Sequence, residues 1–263
     1  NCNVDYIKFL DSAKLEKLVS SLTDAERKLV LQESGVGASV VVNNPVVFLS
    51  VLIKGLRSGK SIHVLGTPSV FTWMEEFFGG PDEKCIGGQA GITASQLNQL
   101  GFEVIMYPSL LSREQAELLA PEIKVPVVKG KKLVFESVRK AFRPLDETKI
   151  NWIFEFKRGD SLKVGSFTLT APRANRVIIA SVAKETPCFS PDLEKFLPQL
   201  GAQVDVALIS GFHYLAPEKD FPKQLKLIEG QLAALKKKNK NLLLHFEYVP
   251  PGYKEVEKKL LLA

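Results

Sequence analysis

Helix-like and strand-like segments alternate along most of this chain, and that alternation limits the folds open to it. The pattern predicts helices at Pro45–Arg57, 69–78, 91–100, 112–120, 191–200, 221–238 and from Gly252. Between them it predicts strands at Ser61–Leu65, Phe102–Tyr107, Val204–Ser210 and Leu242–Glu247. Strands that alternate with helices are typical of a parallel sheet in an α/β protein.

The middle of the chain lacks helical periodicity and reads as a β-rich insertion. Its strand-like runs are Val125–Val128 with Leu133–Phe135, Trp152–Lys157, Ser166–Thr170 and Arg176–Val182. Glycine and proline separate these runs, as in antiparallel β units. We expect this segment to form a lid.

The N-terminal region begins with a predicted strand, Asn1–Ile7, that carries Asp5 to a strand end. Open α/β sheets place ligand-binding groups there, although an aspartate after a strand is also a common turn former. Residues 11–33 have helical spacing around a Thr23-x-x-Glu26 capping box, so two short helices are expected.

Composition indicates a globular protein. The 263 residues are 45% hydrophobic and 24% charged, and the net charge is +6. Much of the excess lies in Lys236–Lys238 and Lys240, at a predicted helix end where cations complement the dipole. No basic and aromatic interleaving or reader motif points to nucleic acid.

Three widely spaced cysteines, Cys2, Cys85 and Cys188, suggest neither a disulfide framework nor a zinc site. The most apolar run, Ser39–Ile53, is interrupted by Asn43-Asn44-Pro45, which disfavours a membrane span. We therefore expect a soluble cytoplasmic protein. The sequence does not begin with Met, so an organelle matrix stays open.

A glycine turn, Gly87-Gly88, leads directly into a helix of small and apolar residues. Glycine lets the backbone approach a ligand closely, and the first N–H groups of a helix are available as donors. The pair is also consistent with a simple turn before a buried helix.

Two further polar groups stand in strand-like runs. Glu155 and Arg176 are either parts of a phosphate site or a surface ion pair. His245 and Glu247 lie two residues apart, so their side chains share one side of a strand. Such a pair serves either as a metal site or as polar groups on an edge strand.

Six short sequence blocks follow one another along nearly the whole chain: Asn1–Asp5, Gly87–Ile92, Ile153–Gly159, Ala174–Ile178, Leu208–Phe212 and His245–Glu247. Their order and approximate spacing resemble those of the ADP-dependent glucokinase and phosphofructokinase family. The resemblance is to the family's N-terminal part. It implies a ribokinase-like α/β/α sandwich with a small β-rich lid, the C-terminal part of the family fold being absent.

The resemblance implies transfer of the β-phosphoryl group of ADP to glucose or fructose 6-phosphate in glycolysis. It assigns sugar binding to Asn3, Asp5, Gly87, Gly88 and Gln89, phosphate binding to Arg176, and Mg²⁺ binding to Glu247. The expected large domain comprises 1–7, 50–122 and 186–263, and the lid comprises 8–49 and 123–185.

Two departures from the family pattern leave a second hypothesis open. The family's catalytic Gly-x-Gly-Asp does not occur in this sequence, so no catalytic residue is assigned and the chain alone is expected to be inactive. Asn44 stands where the family has a sugar-binding glutamate. The alternative to an enzyme is a shortened homologue that serves as a structural subunit of a larger assembly.

Overall fold

The structure, a computed structural model, describes residues 2–32, 40–182, 188–212 and 221–248. Its α/β fold has two compact units. The sheet unit comprises residues 4–85 and 149–182, and the hairpin unit comprises residues 2–3, 86–148, 188–212 and 221–248.

A mixed sheet of six strands, in the order β2-β3-β10-β7-β1-β4, organises the sheet unit. β7 pairs in parallel with β1 and antiparallel with β10, and β3 is parallel to both β10 and β2. The strands are β1 Asn3–Phe9, β2 Val41–Val42, β3 Ile62–Gly66, β4 Glu83–Gly87, β7 Ile150–Phe156 and β10 Asn175–Ser181. A separate hairpin joins β8 Ser161–Val164 to β9 Phe167–Thr170.

Four helices accompany this sheet: α1 Ser12–Ser21, α2 Asp24–Gln32, α3 Pro45–Ser58 and α4 Pro68–Phe78. The two short helices expected over 11–33 are present, and Thr23 and Glu26 form the predicted reciprocal capping bonds. α3 buries Phe48, Leu49, Leu52 and Leu56 completely, so it supplies much of the apolar core.

The hairpin unit contains short elements. Its helices are α5 Gln89–Gln99, α6 Arg113–Leu118, α7 Val138–Ala141, α8 Pro191–Glu194, α9 Leu197–Gly201 and α10 Phe221–Lys236. Its strands form an antiparallel hairpin, β5 Lys124–Lys129 with β6 Lys132–Ser137, and a parallel pair, β11 Val206–Ile209 with β12 Leu243–Phe246.

Several expectations from the sequence differ from these elements. Phe102–Tyr107 is not a strand, because only Ile105 forms an isolated bridge, to Lys124. The β-rich segment is not an antiparallel unit of its own, since β7 and β10 also pair in parallel with β1 and β3. The helix predicted from Gly252 lies outside the described residues.

The two units also have different boundaries from the expected domains. Residues 50–85 group with 149–182, and the hairpin β5–β6 groups with 86–148. The identification of one unit as a large domain and the other as a lid remains a prediction.

Candidate functional site

One face of the six-stranded sheet is fixed by aromatic packing. Tyr6 of β1 and Trp152 of β7 meet with ring centroids 5.5 Å apart, and Phe48 of α3 lies 4.9 Å from Phe154. Trp152 and Phe154 are each 1% exposed. Because side chains alternate along a strand, this packing directs the residues between them to the opposite face.

Asp5 lies on that opposite face. The β1–β7 register pairs it with Asn151, whose Nδ2 donates to Asp5 Oδ1 at 3.2 Å. The Asn151 Oδ1 atom is buried and has no hydrogen-bond partner within the described part of the chain. Asp5 and Asn151 therefore form a polar pair in the middle of the sheet.

Cys85 lies in the neighbouring strand β4, close enough to Asp5 for the carboxylate charge to act on its thiol. Partial burial raises the pKa of its thiol, and the nearby carboxylates of Asp5, Glu83 and Glu155 raise it further. A thiol with a raised pKa is a poor nucleophile near neutral pH, so Cys85 reports on the local field and is not a catalytic candidate.

Glu155 lies near the opposite end of β7 from Asn151. It pairs in register with Arg176 of β10 and with Phe9 of β1. The three residues border a cavity of about 550 Å³, whose wall also includes Lys157 and Asn175. Glu155 and Arg176 carry opposite charges at paired positions of adjacent strands. The cavity supplies both cationic and anionic groups.

The sheet unit also contains two basic residues, Lys149 and His63, whose charges influence each other. Lys149, directly before β7, is only 5% exposed. Partial burial lowers the pKa of His63 in β3, and the positive charge of Lys149 lowers it further. His63 is therefore neutral at physiological pH, whereas a buried ammonium contributes positive charge near it.

The glycine turn belongs to the hairpin unit and forms the start of α5. Gly88 is the N-cap residue at φ 74° and ψ 147°, a conformation that is essentially restricted to glycine. Since glycine provides no side-chain cap, the first backbone donors of α5 depend on other partners. Gly87 is buried and Gln89 is exposed.

Glu247 follows β12, where its amide donates to the Ile209 carbonyl at 2.9 Å. Its Oε2 atom is buried without a hydrogen-bond partner among the described residues, and burial raises the pKa of the carboxyl. His245, two residues earlier, is exposed. Glu247 is thus a partly shielded carboxylate with one buried oxygen that accepts no hydrogen bond from the described residues.

The remaining assigned residues have mainly structural surroundings. Asn3 is 1% exposed at the start of β1. Asn44 is the N-cap of α3, where its Oδ1 accepts from the Val47 amide at 3.0 Å. That bond occupies one acceptor site of the residue that stands in place of the family glutamate.

Sequence reasoning missed Asn151 and Lys149. Both lie at the start of a run that reads as an ordinary buried strand, and only the pairing with β1 brings Asn151 to Asp5. The one signal in the sequence is that Asn151 directly precedes Trp152, so the two side chains lie on opposite faces of the strand.

The sequence and the α/β fold of this chain match those of a known class of kinases. The conserved-region model of the ADP-specific phosphofructokinases and glucokinases matches residues 1–261. The chain therefore belongs to the ADP-specific phosphofructokinase/glucokinase family, as the sequence blocks predicted.

Comparisons with individual relatives support this family assignment. An ADP-specific phosphofructokinase from Thermococcus zilligii is 32% identical over 99% of this chain and 57% of its own length. A structure described as a hypothetical ADP-dependent phosphofructokinase from Pyrococcus horikoshii superposes with a TM-score of 0.83 at 28% identity, over 100% of this chain and 58% of that one. The α/β fold is thereby confirmed.

A third match is an ADP-dependent kinase in complex with fructose-6-phosphate and ADPbetaS. It has a TM-score of 0.78 and 27% identity, over 99% of this chain and 52% of that one. The chain thus spans little more than half the length of these relatives. Within the described residues, no helix has the length and apolar character that crossing a bilayer requires.

Proposed function

We propose that this chain contributes the sugar-binding part of an ADP-dependent sugar kinase. The reaction transfers the β-phosphoryl group of ADP to a hydroxyl of glucose or fructose 6-phosphate and leaves AMP. The observation that supports it best is the polar face of the six-stranded sheet, which carries Asp5 and Arg176 in one unit. A carboxylate accepts from sugar hydroxyls, and a guanidinium forks onto a phosphate.

The spacing of these residues suits an extended, phosphorylated ligand. Arg176 lies four residues along β10 from Ala180, which is opposite Asn151, the partner of Asp5. This offset corresponds to roughly 13 Å along the strands and roughly 10 Å across them. The long arginine side chain shortens the gap, so a hexose phosphate is a better match than a hexose alone.

Gly87, Gly88 and Gln89 are proposed to orient the sugar through the donors at the start of α5. The conformation of Gly88 supports this role, because a side chain there would strain the backbone at the start of the helix. Asn3, which is buried, would act by supporting β1.

Glu247 is proposed to help hold Mg²⁺, whose charge would neutralise phosphate oxygens in the reaction. Its unpartnered carboxylate oxygen fits this role, since Mg²⁺ prefers oxygen ligands and commonly uses one or two carboxylates with substrate phosphates. The described residues contain no group of three or more metal-ligating side chains. One carboxylate together with phosphate oxygens is compatible with that finding.

The catalytic base and the donors for the transferring phosphoryl group are not assigned to this chain. Both belong to the Gly-x-Gly-Asp segment that the sequence lacks. Loss of a base typically slows a reaction by about a hundred to ten thousand times, and loss of one anion-hole donor by about a hundred to a thousand.

A structural role in a larger assembly is the second candidate, and the β11–β12 pair favours it. Val206 and Leu243, at the start of these strands, are 58% and 65% exposed. Parallel strands are normally buried on both faces, so these side chains suit contact with further polypeptide.

Calorimetric titration of the 263-residue chain with fructose 6-phosphate and with glucose tests the proposal. Arg176→Ala should weaken fructose 6-phosphate binding by about ten- to a hundredfold and leave glucose binding nearly unchanged. Arg27→Ala, in an exposed ion pair on α2, is the matched control and should alter neither. Equal losses for both sugars would exclude Arg176 as the phosphate ligand.

A further inference from the structure

Positive side chains gather at one end of the six-stranded sheet, where β7 ends and where β3 and β10 begin. We call this region the basic end and define it by its outer cations, Lys60, Lys157, Arg158 and Arg173. All four residues are exposed, and each lies in a connection between regular elements. Three separate segments of the chain thus bring positive charge to the same end of the sheet.

Hydrogen bonds tie these connections to one another. The Gly59 carbonyl accepts from Arg173 Nε at 2.7 Å and from Asn175 Nδ2 at 2.8 Å, which joins the connection before β3 to the one before β10. The Gly159 amide donates to the Ala171 carbonyl at 3.0 Å, which joins the connection after β7 to the same region. A frame that is already ordered lowers the entropic cost of binding a ligand.

Little negative charge compensates the basic end. Within the described part of the chain, none of its four cations forms an ion pair. The Asp160 carboxylate accepts from the Lys157 amide at 2.7 Å, so it holds the main chain of that turn. Like charges that are not compensated repel one another and destabilise the folded chain. A bound anion would remove that repulsion.

The basic end adjoins the cavity of about 550 Å³ described above. Lys157 lines this cavity, and so does Ser61, which directly follows Lys60. The volume lies within the usual range for small-molecule sites. A concave site of this size suits a compact anion better than the extended backbone of a nucleic acid.

A chain of phosphates is the anion that matches this set of cations. Arginine presents a planar fork of N–H donors to phosphate oxygens, and lysine supplies a point charge. The Arg173 guanidinium uses only Nε for a hydrogen bond within the described residues, so its other donors are available. Because a chain of phosphates carries charge along its length, it can meet cations on different connections at the same time.

We propose that the basic end binds free compounds that carry a chain of three or more phosphates. The guanidinium groups of Arg158 and Arg173 hold phosphate oxygens, and the ammonium groups of Lys60 and Lys157 neutralise their charge. Arg176 keeps its proposed role toward the sugar phosphate, and the four cations have no part in sugar binding. Inorganic polyphosphate and nucleoside triphosphates both carry this chemistry.

The test is calorimetric titration of the 263-residue chain with tripolyphosphate in the absence of sugar. About 0.15 M salt largely screens long-range attraction between exposed charges. Lys60→Glu and Arg158→Glu should each weaken binding by about tenfold. Lys238→Glu makes the same change of sign in the exposed lysine run after α10, so it is the matched control and should bind like the wild type.

Two further ligands identify the source of the phosphates. ATP that binds more tightly than tripolyphosphate, and loses affinity in Arg158→Glu, would assign the site to nucleoside triphosphates. Weaker or equal binding of ATP would assign it to inorganic polyphosphate, and both results uphold the site. A single-stranded RNA oligonucleotide that binds more tightly than tripolyphosphate, and loses affinity in Arg158→Glu, would overturn the proposal in favour of a nucleic-acid surface.

Three other results would also overturn the proposal: no binding of tripolyphosphate at this salt concentration, wild-type affinity in Lys60→Glu and Arg158→Glu, or an equal loss in Lys238→Glu. The last result would show that only the net charge matters. Titration with glucose and fructose 6-phosphate is an independent measurement. A chain that binds tripolyphosphate but neither sugar would contradict the proposed function and leave the phosphate site standing.

Discussion

The sheet unit and the hairpin unit present their polar groups in different ways. In the sheet unit, the register of β1 with β7 places Asp5, Asn151 and Glu155 on one face, and a packed aromatic layer holds the other face. In the hairpin unit, Gly88 and Glu247 stand at the ends of short elements, α5 and β12. Side-chain pairing determines the candidate chemistry in the first unit, whereas backbone conformation and local burial determine it in the second.

The largest expected effect comes from the backbone of the hairpin unit. Gly88→Val should abolish sugar binding, because a branched side chain is strained at φ 74° and the backbone at the start of α5 would have to move. Calorimetry with glucose and fructose 6-phosphate measures the loss.

Gly79→Val is the matched control for that strain. Gly79 has φ 71°, caps α4 and has nothing within 4 Å of an added Cβ, so the variant should lower the melting temperature and retain sugar binding. A Gly88→Val chain that binds sugar like the wild type would remove the glycine turn from the proposed site.

In the sheet unit, the corresponding change is Asp5→Asn. The substitution preserves shape but replaces one carboxylate oxygen with a donor, so sugar affinity should fall by about ten- to a hundredfold. Titration at neutral pH checks this, with Asp205→Asn, an exposed position before β11, as the control. Unchanged affinity in Asp5→Asn would contradict the assignment of Asp5.

Much of the secondary structure can be predicted from the sequence. The capping box at Thr23, the helix α3 and the hairpin β5–β6 follow from local patterns and are confirmed. β4 was missed, because Glu83 and Lys84 give it no apolar alternation. Phe102–Tyr107 has strand-like composition, yet the structure gives it only a single bridge.

The site is less predictable than the fold. Asp5 and Arg176 stand in recognisable sequence blocks, but the partnership of Asp5 with Asn151 depends on pairing across 146 positions. Long-range register has no local signature. The burial of Glu247 similarly depends on tertiary packing around the end of β12 and not on its neighbours in sequence.

A smaller effect is expected at Glu247, where the stability of the folded chain should depend on pH. Burial raises the pKa of its carboxyl, so the folded chain favours the protonated form and loses stability as pH rises through that raised pKa. Glu247→Gln should flatten this loss in melting curves, and Mg²⁺ should stabilise only the chain that keeps the glutamate. Glu229→Gln, exposed on α10, should behave as the wild type.

A Glu247→Gln chain with the wild-type pH dependence and the wild-type response to Mg²⁺ would remove Glu247 as a metal ligand. The proposed contribution of the hairpin unit would then be limited to the glycine turn and α5.

The smallest expected effect is electrostatic and concerns the thiol of Cys85 in β4. The negative charge of Asp5 contributes to the raised pKa of Cys85, so Asp5→Asn should lower that pKa and speed alkylation of Cys85 by iodoacetamide at pH 7.5 about two- to fivefold. Peptide mapping by mass spectrometry resolves the individual thiols. Glu194→Gln is the counterpart control and should speed only Cys188, whose pKa Glu194 helps to raise.

The central claim is that this chain binds the acceptor sugar but lacks the groups that drive phosphoryl transfer. It is tested most directly by measuring AMP release from ADP by the 263-residue chain, with glucose or fructose 6-phosphate at concentrations that calorimetry shows to be saturating. We predict sugar binding without measurable turnover. Turnover within tenfold of a usual enzyme rate, on the order of ten per second, would contradict the account and make Asp5 and Glu247 the first candidates for the base.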